Sequence, residues 1–190
     1  MQSLASEALP VTLCSANPGK LTEVRDALPA WDVALLAASD YPPEDGATYV
    51  DNARIKARYG RAAGPHGRWM LADDSGLELA ALGGAPGVLT ARWAEGRHVE
   101  RALEALAGAG DRRARYVAEL ILLDPEGRET RGTGVLEGTI ATTPSGHAGF
   151  GFDPVFVPLG ETLTVAELGE EWKARHSHRA LAAQDLLAKL

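Results

Sequence analysis

The sequence predicts an α/β fold, and three observations carry that prediction. Short β-rich apolar runs alternate with amphipathic helical patterns through the first half of the chain, and two long extended segments joined by Asp124-Pro125-Glu126-Gly127 follow in the second. The 190 residues are 45% hydrophobic and 24% charged, enough to bury the core of one domain or of two closely joined lobes.

Met1 to Pro10 lack the basic start and continuous apolar stretch of a signal peptide, and read as a loose N-terminal extension ahead of a single domain over 11–190. Val11-Thr12-Leu13-Cys14 is the first strand. It breaks into Ser15-Ala16-Asn17-Pro18-Gly19-Lys20 before a helical pattern on Leu21, Val24, Ala27 and Leu28, with Asn17 as N-cap and Pro18 at the first helical position. That start would leave free backbone N–H groups for an anion. The phosphate-loop pattern G-x-x-x-x-G-K-[ST] fails here, because Cys14 stands at its first glycine and Leu21 follows the lysine. Trp31 to Ala37 reads as a second strand, and Tyr41-Pro42-Pro43-Glu44-Asp45-Gly46 as an acidic loop in which Glu44 is a candidate metal ligand. A helix over Thr48 to Ala63 places Asn52 and Lys56 on one face, and spacing alone favours a solvated polar face there.

Trp69-Met70-Leu71-Ala72 then delivers Asp73-Asp74-Ser75-Gly76 to the end of a buried strand, followed by the glycine-rich Leu82 to Gly87. Adjacent carboxylates on an extended segment point to opposite faces, so one can support the backbone while the other faces a cleft. The competing reading is a surface turn, for which Asp-Ser-Gly is ordinary chemistry. Val99 to Ala107 is a packing helix. Arg115 to Asp124 and Glu129 to Thr142 form a hairpin that should be the spine of the sheet, with Gly132, Gly134 and Gly138 suggesting bulges or sharp curvature. Phe150-Gly151-Phe152-Asp153-Pro154 precedes a short strand over Val155 to Val157, and gathers aromatics that serve either as a mini-core or as a stacking platform for a planar ring. Ser177 caps a final helix over Ala180 to Leu190, which puts His178 and Arg179 in a first turn where cations are poorly placed.

A net charge of −7 argues against a broad nucleic-acid footprint. The lone Cys14 reads as core packing in a reducing cytoplasm, and no run reaches the roughly 18 apolar residues of a membrane helix. Glu44, Asp73 and Asp74 can supply hard oxygen ligands, Lys20, Lys56 and Lys173 can neutralise phosphates, and Phe150 to Asp153 can hold a flat heterocycle. Metal, polyphosphate and base together describe a nucleoside triphosphate site.

At this point the chain resembles the inosine triphosphate pyrophosphatase family. The match rests on Ser15 to Lys20, Asp51-Asn52-Ala53-Arg54-Ile55-Lys56, Ala72 to Gly87, Phe150 to Pro154, and Lys173 with Ser177-His178-Arg179, in order from Val11 onward. The resemblance implies an elongated mixed sheet flanked by helices, two lobes with the site in the cleft between them, a homodimer, and Mg²⁺-dependent hydrolysis of non-standard purine nucleoside triphosphates to monophosphate and pyrophosphate. It implies Asp74 as general base, Glu44 and Asp74 as magnesium ligands, Ser15, Ala16, Asn17, Pro18, Gly19, Lys20 and Lys56 as the triphosphate grip, and Ser75 as a substrate contact. Phe150, Gly151, Phe152, Asp153, Lys173, His178 and Arg179 are implied as the base pocket. Ser15-Ala16 replaces the family's Thr-Gly, which keeps the hydroxyl but adds a Cβ where backbone would approach phosphate. Two rivals are weaker. The septum-formation inhibitor family leaves the Phe-Gly-Phe-Asp and Ser-His-Arg motifs unexplained, and a silent purine-triphosphate-binding module does not require a water-activating carboxylate.

Overall fold

The computed structural model describes residues 8–190, so most of the expected N-terminal extension lies outside the described residues. The expected first strand begins earlier than Val11: β1 spans Leu9–Leu13. It is followed by α1 (Pro18–Ala27), β2 (Trp31–Leu35), α2 (Tyr49–Ala63) and β3 (Trp69–Leu79). Two single-turn 3₁₀ segments, Ala80–Leu82 and Gly87–Leu89, lead into α3 (Thr90–Ala94) and α4 (His98–Ala105). The hairpin β4 (Arg113–Leu123) and β5 (Glu129–Ile140), then β6 (Phe156–Pro158), α5 (Val165–His176) and α6 (His178–Leu187), complete the chain.

The strands form one mixed sheet in the order β2-β1-β3-β4-β5-β6, parallel at the β2-β1-β3 end and antiparallel beyond it. Because side chains alternate across a strand, β3 and β4 divide their residues between two cores. Leu71, Leu120 and Leu122 pack with α1 and α6 through Val24, Leu28, Ala182 and Leu186. Met70, Ala72, Ile121 and Leu123 pack with α2 through Ala53 and Ala57. A third cluster, including Leu77, Leu79, Phe152 and Phe156, fills the other end of the sheet beneath α3, α4 and the start of α5. Among the described residues no helix is long and apolar enough to cross a membrane.

Two sequence expectations change here. Asp73-Asp74-Ser75-Gly76 is neither a turn nor a strand end: β3 pairs with β4 in unbroken register from Met70↔Leu123 to Leu79↔Ala114. The β5 glycines mark no bulge either, since its register with β4 is equally continuous. Gly132 and Gly134 admit α6, because a Cβ at the first would run into the carbonyl oxygen of Ala182 and one at the second into that of His178, whereas a Cβ at Gly138 would meet Phe156 and the Val157 carbonyl of β6.

Candidate active site

The site is built around the middle of β3. Asp73 shares the face of Leu71, where Lys20 from α1 and Arg179 from α6 meet it; the Arg179 Nε–H donates to Oδ2 at 2.9 Å. Asp74 shares the face of Ala72, toward α2. Its Oδ1 accepts from Lys56 Nζ at 2.8 Å and its Oδ2 from Asn52 Nδ2 at 3.3 Å. The solvated face expected for Asn52 and Lys56 is therefore wrong: they are 1% and 4% exposed, because tertiary charge pairing decides what spacing along a helix leaves open. Lys56 also bonds Glu44 Oε1 at 2.8 Å, and Asn52 Oδ1 accepts the Gly46 N–H at 2.8 Å. A backbone N–H only donates, so this bond fixes which end of the amide faces Asp74. One asparagine thus ties the acidic loop to the carboxylate.

Burial pushes both aspartates up, and their cations separate them. For Asp73, Lys20, Arg179 and Lys56 outweigh burial and hold the carboxyl well below the usual range. For Asp74, burial wins over Lys56 and the group stands above its ordinary value. Asp73 is a permanent anion clamped in place; Asp74 is the basic member of the pair.

The ion pairs continue toward the aromatic loop. Arg179 Nη1 donates to Glu23 Oε2 and Lys173 Nζ to Glu23 Oε1, both at 2.6 Å, and Lys173 also reaches Asp153 Oδ2 at 2.8 Å. Burial raises Glu23, but Arg179 and Lys173 outweigh it and hold the carboxyl at about 2. The sequence reading missed Glu23. Its signal was position, since it lies three residues after Lys20 on the same helical face. Lys173, which charge alone groups with the phosphate-neutralising lysines and the family resemblance assigns to the base pocket, stands at the aromatic end, 4.9 Å from the Phe150 ring centroid. Phe150 and Phe152 divide the two roles proposed for them. Phe150 is 39% exposed, whereas Phe152 is 3% exposed and packs with Trp93, His98 and Tyr116. Gly151 between them has φ 66°, a backbone conformation glycine adopts without strain. Asp153 Oδ2 also accepts the Phe150 N–H at 2.9 Å, while among the described residues its Oδ1 meets only the Tyr116 hydroxyl, at 3.4 Å. Ser75 Oγ accepts from Arg179 Nη2 at 2.7 Å. A cavity of about 170 Å³ runs between these groups, lined among others by Asn17, Lys20, Ser75, Phe150, Asp153 and His178.

His178 stacks on Tyr116 at 4.6 Å with its Nδ1 buried and unpartnered. Burial, then Arg179, pushes its pKa down to about 3. The neutral ring stabilises the fold above the ordinary value of 6.5, and that contribution is lost as pH falls toward 3, because the unfolded chain takes up the proton first. Replacing His178 with Gln should flatten the fall in thermal midpoint between pH 6.5 and about 5.5, a window more than a unit above the pKa values of free carboxylates. Parallel curves for wild type and variant across that window would contradict a buried neutral imidazole.

The helix start offers fewer free donors than expected. Asn17 N–H bonds Ser15 Oγ at 3.1 Å, Gly19 N–H bonds Asn17 Oδ1 at 2.9 Å, Lys20 N–H bonds the Asn17 carbonyl at 3.2 Å, and Pro18 has none. Ala16 and Pro18 are exposed beside the buried Ser15. Attraction for an anion therefore falls to side-chain cations more than to the backbone there. As to a metal, Glu44 and Asp74 already converge on one cation, Lys56. Among the described residues no trio of His, Cys, Asp or Glu forms an all-protein cage. Two carboxylates fit a hard ion such as Mg²⁺, which commonly takes one or two and fills its sphere with water and substrate phosphate oxygens.

Such a sheet, with a carboxylate on each face of its central strand and a cleft running from paired cations to an open aromatic, defines an α/β protein of the nucleotide-site class. A model of the Ham1 family matches residues 11–189. The dITP/XTP pyrophosphatase of Thermus thermophilus is 42% identical over 189 residues, covering 93% of this chain and 89% of that one. The dITP/XTP pyrophosphatase of Bdellovibrio bacteriovorus is 38% identical over 191 residues, covering 94% and 96%. A HAM1 protein from Coxiella burnetii has a solved structure that superposes with a TM-score of 0.80 at 35% identity, over 96% of this chain and 100% of that one. This chain belongs to the Ham1 family.

Proposed function

We infer that the protein hydrolyses non-standard purine nucleoside triphosphates, those of inosine, deoxyinosine and xanthosine, to the monophosphate and pyrophosphate, in a Mg²⁺-dependent reaction. The observation that carries the reading is that ion pairs join five separated segments around β3, namely Lys20 and Glu23, Glu44 to Lys56, Asp73 and Asp74, Asp153, and Lys173 to Arg179, beside a cavity lined by Asn17, Lys20, Ser75, Phe150 to Asp153, His178 and Arg179. Relatives named as dITP/XTP pyrophosphatases support the substrate class.

In this reading Asp74 takes a proton from the water that attacks the α-phosphorus, and its burial-raised pKa suits the task. Asn52 and Lys56 hold its carboxylate in one orientation, and Asp73 fixes Lys20 beside the phosphates. Mg²⁺, held by Glu44 and Asp74, supplies charge neutralisation for the phosphate oxygens when bound. Phe150 offers its open face to the purine, and Asp153 Oδ1 accepts N1–H. Arg179 commits Nε, Nη1 and Nη2 once each to Asp73, Glu23 and Ser75, which leaves guanidinium protons for O6.

Adenine exchanges both groups, presenting a bare N1 and a donor at C6. Each buried mismatch costs about 1 to 3 kcal/mol, so ATP should be disfavoured on the order of 10² to 10⁴ against inosine triphosphate. Pyrophosphate release from inosine triphosphate, xanthosine triphosphate and ATP, with and without Mg²⁺, tests this. Equal catalytic efficiency for ATP and inosine triphosphate would overturn the pocket, and no metal-dependent release from any purine triphosphate would overturn the function.

A further inference from the structure

The charges around the cleft leave an anionic substrate under-compensated. Lys20, Lys56, Lys173 and Arg179 face Glu23, Glu44, Asp73, Asp74 and Asp153, so four cations meet five carboxylates when every group is ionised. Each of these cations is bonded to at least one carboxylate at 14% side-chain exposure or less. Drawing Lys56 or Lys173 toward phosphate leaves Asp74 or Asp153 without its cation, and drawing Lys20 or Arg179 takes one of the two cations from Asp73, each at a cost in a buried cluster.

Arg92 is placed differently. It follows Ala91, which lines the cleft, and it is exposed on α3. Its Nη2 donates to the backbone carbonyl of Glu44, on the loop that also carries the carboxylate bound to Lys56. Among the described residues it forms no ion pair. We propose that Arg92 is a further triphosphate-binding residue, which exchanges the Glu44 carbonyl for phosphate oxygens when substrate enters. The exchange replaces a bond to a neutral acceptor with a charge-assisted one, for which the planar guanidinium is well shaped, and leaves no carboxylate unpaired. The inference rests on the triphosphate reading of the cleft.

The test compares wild type with Arg92→Gln and Arg92→Lys, by calorimetric binding of inorganic tripolyphosphate and of inosine monophosphate in Mg²⁺, and by KM and kcat for inosine triphosphate. Gln keeps a donor for the Glu44 carbonyl but not the charge, so a role limited to anchoring the loop leaves it neutral. The proposal expects Arg92→Gln to weaken tripolyphosphate binding and raise KM by about tenfold or more, as for loss of a charged hydrogen bond. Arg92→Lys should fall between Gln and wild type, and monophosphate binding should change little. Arg92→Gln binding like wild type, Lys binding no better than Gln, or an equal loss for the monophosphate would each overturn it. Failure of the underlying reading looks different: wild type itself would then release no pyrophosphate from inosine triphosphate, while the tripolyphosphate comparison would still report on Arg92.

Discussion

Asp74→Asn is expected to lose turnover by roughly 10²-fold or more, the scale of a general-base contribution, with further loss from the missing charge. The amide keeps the carboxylate's shape but cannot take a proton. It also meets a local conflict, since Asp74 accepts from Lys56 on one oxygen and from Asn52 on the other. An amide nitrogen at 74 must face one of these donors: against Asn52 it leaves that N–H without its acceptor at about 1 to 3 kcal/mol, and against Lys56 it leaves the ammonium to Glu44 alone. Pyrophosphate release at saturating Mg²⁺, with circular dichroism to confirm the fold, is the measurement. More than a tenth of wild-type turnover would place the base elsewhere. Asp73→Asn is the informative control: Asp73 is fully buried, lies on the opposite face and is committed to Lys20 and Arg179, so its loss should lower stability rather than act through proton transfer.

The second large effect is on the fold. Arg179→Met should destabilise the protein by about 3 kcal/mol, the lower end of the range for removing one partner of a buried ion pair. The guanidinium joins Asp73 and Ser75 on β3 to Glu23 on α1. The cost stays at the lower end because Asp73 retains Lys20 and Glu23 retains Lys173. Urea denaturation at neutral pH measures it, and Glu23→Gln added to Arg179→Met should recover part of the loss by removing one of the two buried anions that lose a partner. A loss below about 1 kcal/mol, the scale of an exposed ion pair, would show that the cluster does not hold the helices to the sheet.

What could be read from the chain follows the range of the interactions. The first strand, its capped helix, the β4–β5 hairpin and the Ser177 cap rest on neighbours a few residues apart, and all appear in the structure, as do the β3 aspartates on opposite faces. Residues whose state is set across the sheet are legible only in part. Asp73-Asp74-Ser75-Gly76 has turn chemistry, yet Lys20, Lys56 and Arg179 let both carboxylates sit inside a strand. Gly132 and Gly134 look like strand defects until α6 is laid against them. Phe150 and Phe152 have the same local pattern, and only the positions of Trp93, His98 and Tyr116 decide which is buried. The helix α5 went unread because Gly169, at φ 82°, interrupts its periodicity.

Water activated beside Asp74 is expected to attack the α-phosphorus of a purine triphosphate, rather than the β- or γ-phosphorus. Turnover of inosine triphosphate in ¹⁸O-labelled water, with products resolved by mass spectrometry, tests it most directly. The expected result is label in inosine monophosphate and none in pyrophosphate; label in pyrophosphate, or inosine diphosphate with labelled phosphate, would contradict it.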